Sequence, residues 1–220
     1  MNKSTARTKQ LVILSMFCAI AYVVMALGRI PIVLFLKYDP KDIIITIAGF
    51  LFGAPSALAV STVVSLIEML TLSDTGIIGL FMNILSTASF ACTAAVIYKR
   101  HHNLRGAVTG LVVGTLAMVC VMLLWNYLIT PLYMNVARAD VAALILPAFL
   151  PFNLLKGVLN AAITMLIYKP VVGTLTRMRL VEPHQGSAGM DRTDKITYVS
   201  ICLFVLLTAV ICFLVLAGKL

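Results

Sequence analysis

The 220 residues are 61% hydrophobic and only 11% charged, with a mean hydropathy of +1.06, far more apolar than the core of a soluble domain of this length requires. This composition excludes a soluble globular protein and defines an integral membrane protein. The net charge of +9 raises the question of a nucleic-acid partner, but Lys and Arg gather at the ends of apolar runs and form no basic face with interleaved aromatics; no nucleic acid is expected, and anionic membrane lipid is the counterpart.

In chain order, MNKSTARTKQ carries Lys3, Arg7 and Lys9 and leads into an apolar run from about Leu11 to Gly28. Ala26-Leu27-Gly28 resembles a signal-cleavage site, but the run is long for a signal peptide and is read as the first transmembrane helix. Ser15 and Ala19, with Cys18, Ala21 and Ala26 nearby, give it small residues suited to close helix contact. The next stretch, Arg29 to Asp42, mixes apolar residues with Lys37, Asp39, Pro40, Lys41 and Asp42, and proline with paired charges predicts a structured outer loop. A short limb from Ile43 to Phe52 reaches Gly53-Ala54-Pro55 and returns as Ser56 to Leu72; the first limb spans a bilayer only if it tilts or begins inside the preceding loop. On the returning limb Ser61, Ser65 and Glu68 fall at i, i+4, i+7 and form one polar face.

A tight turn at TLSDTGIIG leads to a fourth span from about Gly76 to Tyr98, where Asn83 reads as interhelical glue. Lys99, Arg100 and Arg105 mark a basic connection. The fifth span opens with Gly106, Gly110 and Gly114, a four-residue spacing that admits a neighbouring backbone, and ends in WNYLITPLY, which puts Asn126 beside Trp125 near an interface. After the loop NVARAD, Pro147 and Pro151 start a sixth span that runs to about Lys169. Glu182 to Lys195 is a polar linker, and Ile196 to Ala217 is long and apolar enough for a seventh span.

The sixth span holds the most informative residues. Asn153, Lys156 and Asn160 lie at i, i+3, i+7 and share one helix face. A cation inside a membrane span costs on the order of 3 kcal/mol and turns toward a cavity, a partner or a ligand. A purely structural alternative has Lys156 snorkel to the interface or pair with Glu68. From a helix start near Ala148, Lys156 lies roughly 12 Å deep at about 1.5 Å per residue.

Orientation follows from the cations. Lys3, Arg7, Lys9, Lys99, Arg100, Arg105, Lys169, Arg177, Arg179, Arg192 and Lys195 lie on the side of the N-terminus, against Arg29, Lys37, Lys41, Arg138 and Lys219 on the other. The positive-inside rule therefore places the N-terminus in the cytoplasm of a multi-pass protein of the cell membrane. It also brings the 29–42 loop, Glu68, Asn126 and the start of the sixth span together near the outer surface, as a pocket with apolar walls and a few placed polar groups, suited to a small molecule. An Asn side chain carries both donor and acceptor and can match the amide-like edge of a heterocycle.

The five cysteines sit in apolar runs without CxxC or Cys/His spacing, and His101, His102 and His184 form no cluster, so no metal site is expected. No GxxxxGK[ST] segment exists, so the chain does not by itself bind ATP in the P-loop manner, and any uphill transport would need a partner.

The segments DPKD (Asp39 to Asp42), FLFGAP, SDTGIIGLFMNILS, WNYLITPLY and PFNLLKGVLN, in this order, resemble the riboflavin-binding S components of energy-coupling factor (ECF) vitamin transporters, over about residues 8 to 178. The resemblance implies an all-α fold with a six-helix transmembrane S-component core, here residues 1–180; the polar cytoplasmic linker, 181–195, and the additional C-terminal transmembrane helix, 196–220, depart from it, since the six-helix family core does not need them. It implies a substrate-binding subunit, not an enzyme and without a cofactor, that captures riboflavin from outside and works with a transmembrane coupling protein and two cytoplasmic ATPases. Asn126, Asn153 and Lys156 would be polar partners of the flavin ring, and the loop with Leu36, Asp39 and Asp42 would contact the ligand and gate the pocket. Glu68 and Asn160, on the two polar faces, complete the ligand-binding candidates. Ser15-xxx-Ala19 takes the place of the family's alanine-xxx-alanine docking pattern, and Ile44 stands where the family carries proline. Alternatives are an S component for another vitamin or for FMN, and a small membrane enzyme acting on a lipid through Glu68, Asp74 or Lys156. The enzyme ranks below because Glu68 is the one carboxylate within a span.

Overall fold

The computed structural model describes residues 3–33, 36–73 and 75–178, together with Leu203 and Leu207. Helix α1, Lys3–Gly28, runs the length of the bundle and ends at a small antiparallel hairpin of β1, Ile30–Val33, and β2, Leu36–Tyr38. Ile30 pairs with Tyr38 and Pro31 with Lys37, and the register is irregular between Pro31 and Val33. The outer loop expected from the sequence is thus ordered as a hairpin, with Leu36 and Tyr38 pointing into the protein.

Helix α2, Lys41–Phe52, begins inside that loop, with Pro40 at its N-cap and Asp42 in its first turn. At 12 residues it is roughly 18 Å long, too short for a 30 Å hydrocarbon core. It survives as the centre of the bundle. Beyond its first turn its sequence is apolar on almost every side, as an enclosed helix requires,; Ile45, Ile47 and Ala48 are completely buried, and α2 packs against α1 and against the three helices Ala54–Thr71, Gly76–Arg100 and Leu150–Arg177. Gly53, at φ +90°, turns the chain, and Pro55 sits in the first turn of α3, Ala54–Thr71, where its missing N–H leaves no bond unmade. The positive φ is a conformation only glycine adopts without strain.

Helices α4, Gly76–Arg100, and α5, Leu104–Met134, form the most extensive helix pair. Asn103 caps α5 by accepting the Gly106 N–H at 2.7 Å, and Asn135 closes it in the left-handed conformation. The glycine spacing acts as expected at two of three positions: a Cβ on Gly110 would lie 2.7 Å from the Ala94 carbonyl oxygen, and one on Gly114 2.6 Å from that of Phe90. Gly106 instead faces His101 within the α4–α5 turn. The last limb is continuous: α6, Arg138–Leu144, a π-helical turn at Ile145–Phe149 that contains Pro147, and α7, Leu150–Arg177.

Five helical segments among the described residues are long and apolar enough to cross a membrane: 7–28, 54–71, 76–100, 104–132 and 138–177. They expose large apolar side chains outward, among them Leu11, Met16 and Ile20 on α1, Phe81 on α4 and Leu116 on α5. The protein is an all-α membrane protein with a small hairpin at one end. The small residues of α1 divide between two faces: Ala21 is buried in the core, whereas Ser15 and Ala19 are exposed, and the Ser15 hydroxyl donates to the Leu11 carbonyl at 3.0 Å. The polar linker and seventh span expected beyond residue 180 lie outside the described residues, Leu203 and Leu207 apart.

Candidate ligand site

A cleft opens at the hairpin end of the bundle, where β2, the α3–α4 connection, the last turns of α5 and the first turns of α7 meet. Its non-atom space, open mouth included, is about 860 Å³. Leu36, Met82, Met122, Trp125, Ile129 and Phe152 supply apolar walls, and Arg29, Asp39, Glu68, Asn83, Asn153 and Lys156 supply the charged and amide groups.

The charged groups hold one another. Arg29, the first residue after α1, donates Nε to Asp39 Oδ1 at 2.9 Å, Nη1 to the Leu72 carbonyl at 3.1 Å, and Nη2 to Glu68 Oε1. Glu68 also accepts from Lys41 Nζ through Oε2 and from Asn83 Nδ2 at 2.9 Å. Lys156 Nζ lies 3.2 Å from Asp42 Oδ2. Three cations therefore face three carboxylates, each group poorly exposed, which is how ionised side chains tolerate a low-dielectric interior. Burial works against ionisation of Asp39, but Lys41, Lys156 and the Arg29 guanidinium outweigh it and hold its carboxyl below the usual carboxylate range,.

The i, i+3, i+7 spacing in α7 puts Asn153, Lys156 and Asn160 on one buried face, at 2%, 6% and 0% exposure, but they do different things. Asn153 lines the cleft; its Nδ2 gives one hydrogen to the Phe149 carbonyl at 2.8 Å, and the amide carries a second N–H hydrogen and Oδ1 besides. That bond falls where the π-helical turn meets α7 and fixes the amide. Lys156 lines the cleft one turn further in. Asn160 does not line it: its Nδ2 donates to Asp42 Oδ2 at 3.2 Å and its Oδ1 accepts the Tyr38 hydroxyl at 2.9 Å.

Leu36, Asp39, Glu68, Asn153 and Lys156 are thus brought together at the cleft, whereas Asp42 and Asn160 lie behind its wall. Asn126 is fully buried next to the lining residues Trp125, Ile129 and Thr130; its Oδ1 accepts the Thr130 hydroxyl at 3.0 Å, and its Nδ2 has no hydrogen-bond partner among the described residues. Asn83 joins α4 to α3 through Glu68, the interhelical role expected of it. The pairing of Lys156 with Glu68 considered from sequence is not the one formed: Lys156 takes Asp42, and Lys41 takes Glu68, because α2 starts at Lys41 and carries both residues into the core. Arg29, Lys41 and Thr87 are the participants that the sequence reading missed. The first two were counted as outer-loop charges, and Thr87 carries no signal until α4 is placed beside α2.

A bundle of apolar helices around a half-open, polar-floored cleft has the form of a membrane subunit that binds a small solute. The chain matches the family profile of the ECF transporter, substrate-specific component, over residues 9–168, and belongs to that family. It is 32% identical over 182 residues to the riboflavin transporter RibU of Staphylococcus aureus (strain TCH60), covering 78% of this chain and 95% of that protein. It is 28% identical to the riboflavin transporter RibU of Streptococcus thermophilus, over 80% of this chain and 89% of that one. To the riboflavin transporter FmnP of Bacillus subtilis it is also 28% identical, over 81% of this chain and all of that one. A solved S component of a bacterial ECF transporter superposes with a TM-score of 0.66 at 31% identity, covering 78% of this chain and 99% of the other. The family consists of transporter components, and the lipid-enzyme alternative falls with that assignment.

Proposed function

We propose that this protein captures riboflavin at the outer face of the cell membrane and delivers it to the cytoplasm as the substrate-binding subunit of an ECF transporter. The observation that carries the reading is the cleft itself: Trp125, Met122 and Phe152 offer apolar surface for a flat ring, while Asn153 and Lys156 offer hydrogen bonds to its heteroatom edge. A tricyclic flavin presents carbonyl and imide groups along one edge, which an Asn amide matches with a donor and an acceptor together. The Asn126 Nδ2, buried behind the lining residues Trp125 and Thr130 and without a hydrogen-bond partner among the described residues, adds an unmet donor, and such a group is costly, about 1–3 kcal/mol, until something accepts from it.

The cations at the two ends of the helices favour the N-terminus inside, which makes the hairpin end the outer one. Leu36 and Asp39 then lie at the mouth of the cleft, and the hairpin is the element that a ligand must pass. Release to the cytoplasm requires energy that this chain does not supply. In this reading a transmembrane coupling protein and two ATPases provide it, and the exposed Ser15 and Ala19 of α1 are the docking residues. The test is uptake: a riboflavin-auxotrophic bacterium lacking its own importer, given this chain with an ECF coupling module, grows on trace riboflavin. Growth equal to that of cells given the module alone contradicts the proposal.

A further inference from the structure

Behind the wall of the cleft, Asp42 is the centre of a polar knot drawn from three helices. Its Oδ1 accepts the Thr87 hydroxyl at 2.6 Å, and its Oδ2 accepts Asn160 Nδ2 and Lys156 Nζ, each at 3.2 Å. Asp42, Thr87 and Asn160 are at most 1% exposed and none of them lines the cleft; Lys156 does. We propose that Thr87 and Asn160 are positioning residues which orient Asp42 and thereby fix the Lys156 ammonium at the cleft wall, and that the Tyr38 hydroxyl ties this set to the hairpin.

A lysine ammonium can donate in three directions at the end of a flexible stem, so its place is set by what it pairs with. Asp42 can hold it in one direction only if the carboxylate itself cannot rotate. Thr87 on α4 fixes one oxygen and Asn160 on α7 the other, leaving the remaining lone pair of Oδ2 for Lys156. Asn160 is oriented in turn, because a carboxylate oxygen demands the amide N–H and so leaves Oδ1 facing Tyr38 on β2. Partners that orient a functional group from behind act the same way around metal ligands. Burying three polar side chains about one carboxylate gains little stability over apolar packing; it supplies direction.

The inference rests on the flavin reading for the ligand used in one arm of its test. In the purified full-length protein, Thr87→Val removes the hydroxyl at nearly constant shape, and Thr87→Ser restores it. Thr87→Val is expected to weaken riboflavin binding by about 5-fold, mainly through faster dissociation, and Thr87→Ser to stay within about 2-fold of the native protein. In a Lys156→Met background, whose side chain has no donor for Asp42 to hold, Thr87→Val is expected to change affinity by less than about 2-fold, since a positioning residue acts only through the group it positions. An unchanged affinity, or the same loss in both backgrounds, overturns the proposal. If Thr87→Val does not fold, Tyr38→Phe replaces it with the same expectations and the same overturning results. A second arm needs no ligand: the side-chain ¹⁵N resonance of Lys156, assigned by its disappearance in Lys156→Gln, is expected to broaden or vanish in Thr87→Val and return in Thr87→Ser. Absence of riboflavin binding by the native protein would defeat the flavin reading alone. The resonance would then decide, and an unaltered signal in Thr87→Val would overturn the positioning role.

Discussion

Asn153 and Lys156 stand one helical turn apart on the wall of the cleft, and each is held by a group that asks nothing of the ligand: Phe149 O for the amide, Asp42 for the ammonium. What remains of their hydrogen-bonding capacity lies on the cleft wall,. Asn153→Ala and Lys156→Gln are each expected to weaken riboflavin binding by about 1–3 kcal/mol through unmatched polar groups on the bound ring, read as the dissociation constant in a fluorescence titration. Native affinity in both would remove these residues from the site. Gln is chosen at 156 because it keeps a donor for Asp42, whereas Ala would strand a buried carboxylate. Asp39 gives a prediction in pH. Its pKa is lower in the folded protein than the ordinary 3.8, held down against burial by Lys41, Lys156 and Arg29, so its attraction to these cations, the ion pair with Arg29 among them, contributes stability that is fully present above about that value and is lost as pH falls through the depressed pKa. Asp39→Asn should therefore lower the melting temperature at pH 7 by about 3 °C, corresponding to a loss of about 1 kcal/mol, with the difference from the native protein shrinking below pH 3.8. A difference that stays constant through acid pH would mean that the pair does not hold the hairpin.

At the scale of elements, the contact between α4 and α5 is set by backbone against backbone at Gly110 and Gly114. Gly114→Ala would push a methyl against the Phe90 carbonyl, and Gly110→Ala against Ala94; neither obstacle is a flexible side chain that can step aside. Each is expected to cost about 1–3 kcal/mol, visible as a lower melting temperature in detergent, and melting at the native temperature would contradict the close approach. The four-residue glycine spacing announced this contact because a helix repeats its face at that interval. The same logic revealed the buried faces Ser61-Ser65-Glu68 and Asn153-Lys156-Asn160. What the pattern hid was the start of α2. Pro40, Lys41 and Asp42 read locally as a loop, and only the partners Glu68, Thr87 and Asn160, 27 to 118 positions away along the chain, make the burial of Lys41 and Asp42 tolerable. The hairpin was hidden for a related reason: three or four residues per strand give too short an alternation to register. Pro147 was read as a helix start, but the π-helical turn absorbs it within a continuous limb.

Across the whole molecule, three carboxylates and three cations gather at one end of an otherwise apolar bundle, and their balance lets a polar-floored cleft exist within a membrane-spanning protein. The site was legible in part from sequence. The shared buried face of Lys156 and the amides beside it, and the placement of Leu36, Asp39 and Glu68 at the same end, followed from spacing and charge. The division between residues on the cleft wall and residues behind it did not, because Asp42 and Asn160 differ from their neighbours only in which side of α2 and α7 they face. The claim on which the rest depends is that this cleft holds a flavin. The most direct test is riboflavin fluorescence quenching on the purified chain, with thiamin and biotin as controls and Trp125, the one tryptophan, as a second signal at the cleft. Saturable quenching at submicromolar riboflavin, with no response to thiamin or biotin, is the result expected. A folded, monodisperse protein that leaves riboflavin fluorescence unchanged, or that binds thiamin or biotin instead, would contradict it.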